Sequence, residues 1–245
     1  MVVSYQASLV LLSVVVAIIG SLTSLALTSG AHDVGNESWE AGFSLANGGL
    51  IMGTTIWSMH FIAMMAVQFP ILINYNIVET ILSIAIAIGA TAMGLYVVSN
   101  RRLGRFSIPG GGVLMGLGIG SMHYLGMGAI RGCGLDYDLT LVAASVGIAI
   151  IASIAALWFA FYKRSIVATV AGGVVQGLAI ASMHYTAMAA TYFVPLDVPA
   201  DLTTPLFTQN LLAFMIAGAI LIVCTGNLAL LGFMSFQQRR LVELE

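Results

Sequence analysis

The chain has 245 residues, 60% hydrophobic and only 7% charged, with a net charge of −2 and a mean hydropathy of +1.03. That balance excludes a soluble globular domain of this size and fits a polytopic membrane protein. It carries no basic patch for nucleic acid, and Cys133 and Cys224 lie in settings too different to suggest a disulfide or a CxxC-type site.

Seven apolar stretches reach the roughly 20 residues that a helix needs to cross a bilayer. The first, 4–28, has no basic leader and reads as a retained span. A polar loop with His32, Asp33, Glu37 and Glu40 leads to the second, 44–67, which is closed by Pro70. The third, 77–99, stops at the Asn100–Arg105 break. The fourth, 108–130, gives way to the polar Arg131–Asp138 segment. The fifth, 138–162, ends at Lys163-Arg164, and the sixth, 168–191, is parted by Asp197–Pro205 from the seventh, 209–233. Short connections make this one domain over 1–235, with 236–245 as a cytoplasmic exit segment. The expected class is all-α, a seven-helix membrane bundle.

Basic residues set the orientation. Seven crossings place Arg101, Arg102, Arg105, Lys163, Arg164, Arg239 and Arg240 on one side and Arg131 on the other. The C-terminus is then cytoplasmic and the N-terminus outside. Tyr75, Tyr137 and Tyr192 mark the outer interface, and Trp158 and Tyr162 the inner one.

One block recurs three times, as SMHFIAM at 58–64, SMHYLGM at 121–127 and SMHYTAM at 182–188. It holds His60, His123 and His184, about 62 residues apart. Each histidine follows glycines at −11 and −7 (Gly49 and Gly53, Gly112 and Gly116, Gly173 and Gly177) and an isoleucine at −4 (Ile56, Ile119, Ile180). A small residue follows at +3, methionine at +4 (Met64, Met127, Met188) and alanine at +6. The chain is thus three two-helix repeats plus one C-terminal helix. At about 100° per residue these positions share one helical face. All three histidines lie at one depth, about 12 Å below the outer surface by the helical rise. Close helix contact at the glycines, with splaying above it, leaves room for a cavity lined by three imidazoles and three thioethers.

A histidine inside a membrane span is a functional-site hypothesis by default. Neutral imidazole with thioether suits copper, above all Cu(I). Zinc would more often recruit cysteine or carboxylate, and calcium and magnesium want oxygen ligands. Haem with His/His or His/Met axial ligation is the weaker option, because close-packed glycines leave little width for a porphyrin. Met59, Met122 and Met183 at −1 point about 100° away from the histidines and flank the site. The bland reading of Asn47, Gln176 and Asn227 is polar bridging between helices, and that of Cys224 is a buried, inert thiol.

These blocks resemble the MHYT family of bacterial integral-membrane sensor domains. Met183-His184-Tyr185-Thr186 spells the motif, Met122-His123-Tyr124-Leu125 keeps three of its letters, and Met59-His60-Phe61-Ile62 keeps two. The resemblance implies a sensor, not an enzyme, in the bacterial cytoplasmic (inner) membrane. It implies copper, Cu(I) or Cu(II), on Met59, His60, Met122, His123, Met183 and His184. The signal it implies is oxygen, carbon monoxide or nitric oxide. It implies relay to a fused cytoplasmic effector domain, such as one that turns over cyclic di-GMP. Pairing into a homodimer is left open. The alternatives are a copper transporter or channel, and a haem-binding membrane redox protein.

Overall fold

The computed structural model describes residues 3–29, 39–162, 165–195 and 206–242, with backbone alone for 29, 39–41, 101–102 and 227–242. Of the polar residues singled out above, His32, Asp33, Glu37, Lys163, Arg164, Asp197 and Asp201 lie outside it.

Seven long helices stand where the apolar stretches fall: α1 Ala7–Ser29, α2 Trp39–Met65, α3 Ile77–Ser99, α4 Ser107–Gly128, α5 Leu139–Leu157, α6 Ile166–Ala189 and α7 Gln209–Val242. Six of them are long and apolar enough to cross a membrane. The helix left out is α4, diluted by Gly110, Gly111, Gly112, Gly116, Gly118, Gly120, Gly126 and Gly128. The chain is an all-α, multi-pass membrane protein. Polar residues start three of the helices. Asn76 and Asp138 each accept two backbone N–H groups at the head of α3 and α5, and the Ser165 hydroxyl accepts one from Ala168 at the head of α6.

The helices close into a ring in chain order, α1 through α6, with α6 returning to α1 and α7 packed outside against α2. The even-numbered helices meet one another near the axis, where the histidines lie. Glycines set this spacing. A Cβ at Gly49 or Gly53 would meet α3 backbone at Ala92 or Ile88, within 2.5 Å. Gly112 and Gly116 meet Ile154 and Ile150 of α5 in the same way, and Gly173 and Gly177 meet Leu22 and Ile18 of α1. The glycine pairs therefore bring each even helix against the next odd one, not against another even one as the splayed arrangement required. A preceding glycine, Gly48, Gly111 or Gly172, faces the previous odd helix at Thr28, Val98 or Phe159. Consecutive glycines thus wedge every even helix between two neighbours.

Short strands cap the end that carries the histidine blocks. β1 (Ser4–Tyr5) pairs with β2 (Val67–Gln68), and β5 (Cys133–Tyr137) with β6 (Thr191–Pro195). β3 (Asn74–Asn76) pairs with both β4 (Ile130–Arg131) and β7 (Leu206–Phe207). All pairs are antiparallel. Gly132 between β4 and β5 has φ +115°, and a Cβ there would lie 2.7 Å from the Leu72 carbonyl oxygen, so only glycine fits.

Candidate metal centre

Each histidine stands seven residues after the second glycine and is the sixth residue from the C-terminal end of its helix, and all three are fully buried. His60 Nδ1 lies 3.2 Å from His184 Nδ1, and His123 Nδ1 lies 3.2 Å from the same atom. The ring centroids are 4.9, 5.0 and 5.1 Å apart in pairs, each pair edge to face. One ligating nitrogen from each of the three lies within 4.8 Å of the others. Nitrogens bound at about 2.0–2.1 Å to a common ion stand about 3.3–3.6 Å apart, so the cluster is near coordination spacing.

Hydrogen bonding alone does not account for this cluster. A neutral Nδ1 is either one donor or one acceptor, and His184 Nδ1 faces two partners. Nor does Nε2 help, since all three Nε2 atoms are buried without a partner. A cation at the centre gives three converging lone pairs one target. Among the described residues no carboxylate belongs to the cluster, so a bound cation keeps its charge and favours soft, neutral ligands.

Met59, Met64, Met122, Met127, Met183 and Met188 are all buried in the core that holds the histidines. Ser58 is buried with no partner for its hydroxyl, whereas Ser121 and Ser182 are exposed on the outward faces of α4 and α6. The difference follows from α7, whose main helix contact among the described residues is with α2. Gln176 bridges to Ser153 across α5 and α6, at 3.2 Å. Cys224 is exposed on α7, where the sequence suggested a buried thiol; a helix touching the ring on one side leaves its other face outward.

A second threefold set surrounds the histidines. The aromatic residue after each one sits edge-on to its imidazole: Phe61 at 4.7 Å, Tyr124 at 4.9 Å and Tyr185 at 4.9 Å. Each of these meets a tyrosine of the strand cap: Tyr75 at 5.6 Å, Tyr137 at 5.7 Å and Tyr5 at 6.4 Å. The Tyr124 hydroxyl bonds to Ser145 at 2.8 Å and that of Tyr185 to Ser13 at 2.9 Å. The outer tyrosines therefore differ in kind. Tyr75 is wholly buried and no interface marker, while Tyr5 is 42% exposed. Sequence reading missed Tyr5, Ser13 and Ser145. The signal was present, because Tyr5, Tyr75 and Tyr137, like Ser13, Ser83 and Ser145, are spaced by 70 and then 62 residues. The longer first interval hides the repeat in the odd helices.

Fold and centre define a polytopic membrane protein with a threefold histidine cluster under an aromatic cap. The chain belongs to the MHYT family, described as a bacterial signalling protein N-terminal repeat, whose model matches residues 53–111, 116–173 and 177–243. It is 40% identical over 199 residues, 78% of its length, to the bifunctional diguanylate cyclase/cyclic di-GMP phosphodiesterase MucR of Pseudomonas aeruginosa, covering 28% of that protein. It is 36% identical over 214 residues to the cyclic di-GMP phosphodiesterase NbdA of the same organism, with 84% of this chain and 26% of that one aligned. The signaling protein YkoW of Bacillus subtilis is 34% identical over 198 residues, 78% of this chain and 24% of the other. The chain therefore spans about a quarter of these curated relatives. No solved structure matches it.

Proposed function

We propose that this chain is a membrane-embedded sensor domain that holds copper between His60, His123 and His184 and passes its state to a cytoplasmic signalling partner. The convergence of three buried Nδ1 atoms, two contacts at 3.2 Å, carries this reading. Met64, Met127 and Met188, one helical turn on, are the thioethers best placed by sequence to complete the ligand set; Met59, Met122 and Met183 flank it. Copper rather than zinc follows from an all-neutral nitrogen and sulfur environment. A bound copper ion would supply a centre that changes oxidation state or takes oxygen, nitric oxide or carbon monoxide. The protein's own part is to keep the imidazoles converged, to exclude water, and to turn small ring displacements into helix shifts.

In this proposal all seven helices cross the bacterial inner membrane, α4 shielded at its glycines by α3 and α5. The N-terminus lies outside and the C-terminus in the cytoplasm. Arg131, the one basic residue that breaks the inside bias, is paired with Glu79 at 2.8 Å, which supports that orientation. The unbroken run of α7 from Gln209 to Val242 fits a continuous path inward. The relatives named above motivate an output that makes or degrades cyclic di-GMP in a fused effector domain. Two copies pairing through such domains is compatible with this arrangement.

Metal analysis tests the proposal. Protein purified from membranes grown with copper should carry copper, and His60→Ala, His123→Ala and His184→Ala should each lose it. Retention of the same metal content by all three variants would remove the reading. Transport is the second reading, but a conduit needs ligands at several depths and these donors sit in one layer; copper flux into sealed vesicles would establish it.

A further inference from the structure

At the end of the bundle opposite the histidines, a cleft of about 910 Å³ opens between the end of α3, the start of α4 and the end of α5. Its lining includes Ile108, Ile154 and the largely exposed Ile151, together with Arg105, Ser107, Trp158 and Tyr162. Two short 3₁₀ turns within Arg101–Phe106, kinked at Gly104 (φ +51°), bring Arg105 there. The guanidinium lies over the Phe106 ring, 5.0 Å from its centroid. Among the described residues it has no acidic partner, and no acid lines the cleft. Trp158 and Tyr162 stack at 5.6 Å and 15° on a π-helical turn that ends α5, a placement typical of aromatic residues at a membrane surface.

The repeat makes this furnishing informative. Eighteen residues before His123 stands Arg105; the same count before His60 gives Gly42 and before His184 gives Ile166. Trp158 corresponds to Tyr96 and Ala26 in the other repeats. Among the described residues, this is the one of three related corners that joins a cation to a tryptophan. A packing role common to the repeats does not explain it.

We propose that this cleft binds an anionic phospholipid, with the phosphate on Arg105 and an acyl chain along Ile151 and Ile154. Charge complementarity selects the headgroup: among the described residues, one guanidinium without an acidic partner and no carboxylate, at the level of the membrane surface. The volume and the apolar side chains along the lining select a lipid over a free anion. Bound there, the lipid bridges α3, α4 and α5, and so fixes the base of the helix that carries His123.

The test is lipid retention. Wild type reconstituted in phosphatidylcholine bilayers with a minor fraction of phosphatidylglycerol is extracted gently, and the co-purifying lipid is weighed by native mass spectrometry. Phosphatidylglycerol should be enriched over phosphatidylcholine, and Arg105→Gln should cut that enrichment about fivefold, the worth of one interfacial cation. Ile151→Trp, which fills the wall, should lower retention of both lipids. Equal retention of the two lipids by wild type and Arg105→Gln overturns the proposal, as does release of phosphatidylglycerol by millimolar inorganic phosphate. Copper content reads the histidine centre separately, so this inference and the metal reading fail independently.

Discussion

Gly126 shows how tightly the centre is built at the level of single residues. A Cβ at this position would lie 2.5 Å from His60 Nε2, whereas one at Gly128, two residues on, would meet nothing within 4 Å. Gly126→Ala must therefore move the His60 ring, and a small displacement at a three-nitrogen centre weakens binding steeply. Copper affinity should fall by about 10- to 100-fold, the range seen when support around a metal ligand is disturbed, with helix content unchanged by circular dichroism. Gly128→Ala should leave affinity alone and raise stability by about 0.5–1 kcal/mol, because alanine lowers the entropy of the unfolded helix. If both variants bind copper like wild type, the imidazole positions described here are wrong. In the strand cap, burial holds the Cys133 thiol above its usual range, and burial also raises Tyr75 and lifts Tyr137 to about 12. The fold thus favours the neutral form of all three groups. Their contribution is complete below their unfolded values, about 8.5 for cysteine and 10 for tyrosine, and is lost as pH rises through the folded ones. Thermal stability should hold to about pH 9 and decline toward pH 12, with Cys133 resisting maleimide at pH 8 until the cap unfolds. A flat melting temperature from pH 8 to pH 11.5 would count against it.

Helix pairs explain why so much of the repeat recurs. The glycines at −11 and −7 serve the neighbouring odd helix, and the alanine at +6 serves the strand cap. The backbone carbonyls of Ala66, Ala129 and Ala190 accept the N–H of Gln6, Asn76 and Asp138 at 2.8, 2.7 and 2.9 Å. These three bonds tie the end of each even helix to the start of an odd one. The sequence carried the helices, their pairing and the histidine layer, because apolar length and a period of about 62 residues are one-dimensional signals. It did not carry the ring closure of α6 onto α1, which depends on Ile18 and Leu22 filling a role that Ile88 and Ala92 or Ile150 and Ile154 fill elsewhere. One position is constant (Ile18, Ile88, Ile150) while the other varies (Leu22, Ala92, Ile154), and the first interval of 70 residues puts Ile18 out of step with the period of the histidines. A single added methyl separates these contacts from tolerant ones. Gly53→Ala would press on Ile88 backbone at 2.4 Å and should cost about 1–3 kcal/mol. Gly89→Ala, with nothing within 4 Å, should cost nothing. Unfolding in mixed micelles titrated with sodium dodecyl sulfate would separate them, and equal stability of the two variants would contradict the contact.

The whole molecule is threefold in its ring and asymmetric in its output. α7 packs on α2 through a seam that includes Leu212 and Ile216, which are almost wholly buried, while Leu221 and Ile222 face outward. Of the three histidine helices, α2 is thus the one in extended contact with the helix that leads out of the ring. It is also the one whose aromatic neighbour is Phe61 instead of tyrosine; Ser13, Ser83 and Ser145 each bond their own backbone three residues back, and Ser13 and Ser145 bond a phenol as well. In the proposed sensor, a rearrangement of the imidazoles would reach α7 through His60 and α2, with the other two helices holding the opposite side of the centre. This division predicts separable effects. Leu212→Ala with Ile216→Ala should leave copper content within twofold of wild type, because neither side chain belongs to the centre. The same pair should release α7 from the ring, at about 2–5 kcal/mol per truncated core residue less what lipid contact restores. Amide exchange along 209–222 should quicken at least about tenfold, and the copper-dependent part of α7 protection should vanish. Copper loss in the double variant, or unchanged exchange in α7, would show that the seventh helix belongs to the centre's own support and not to its outlet.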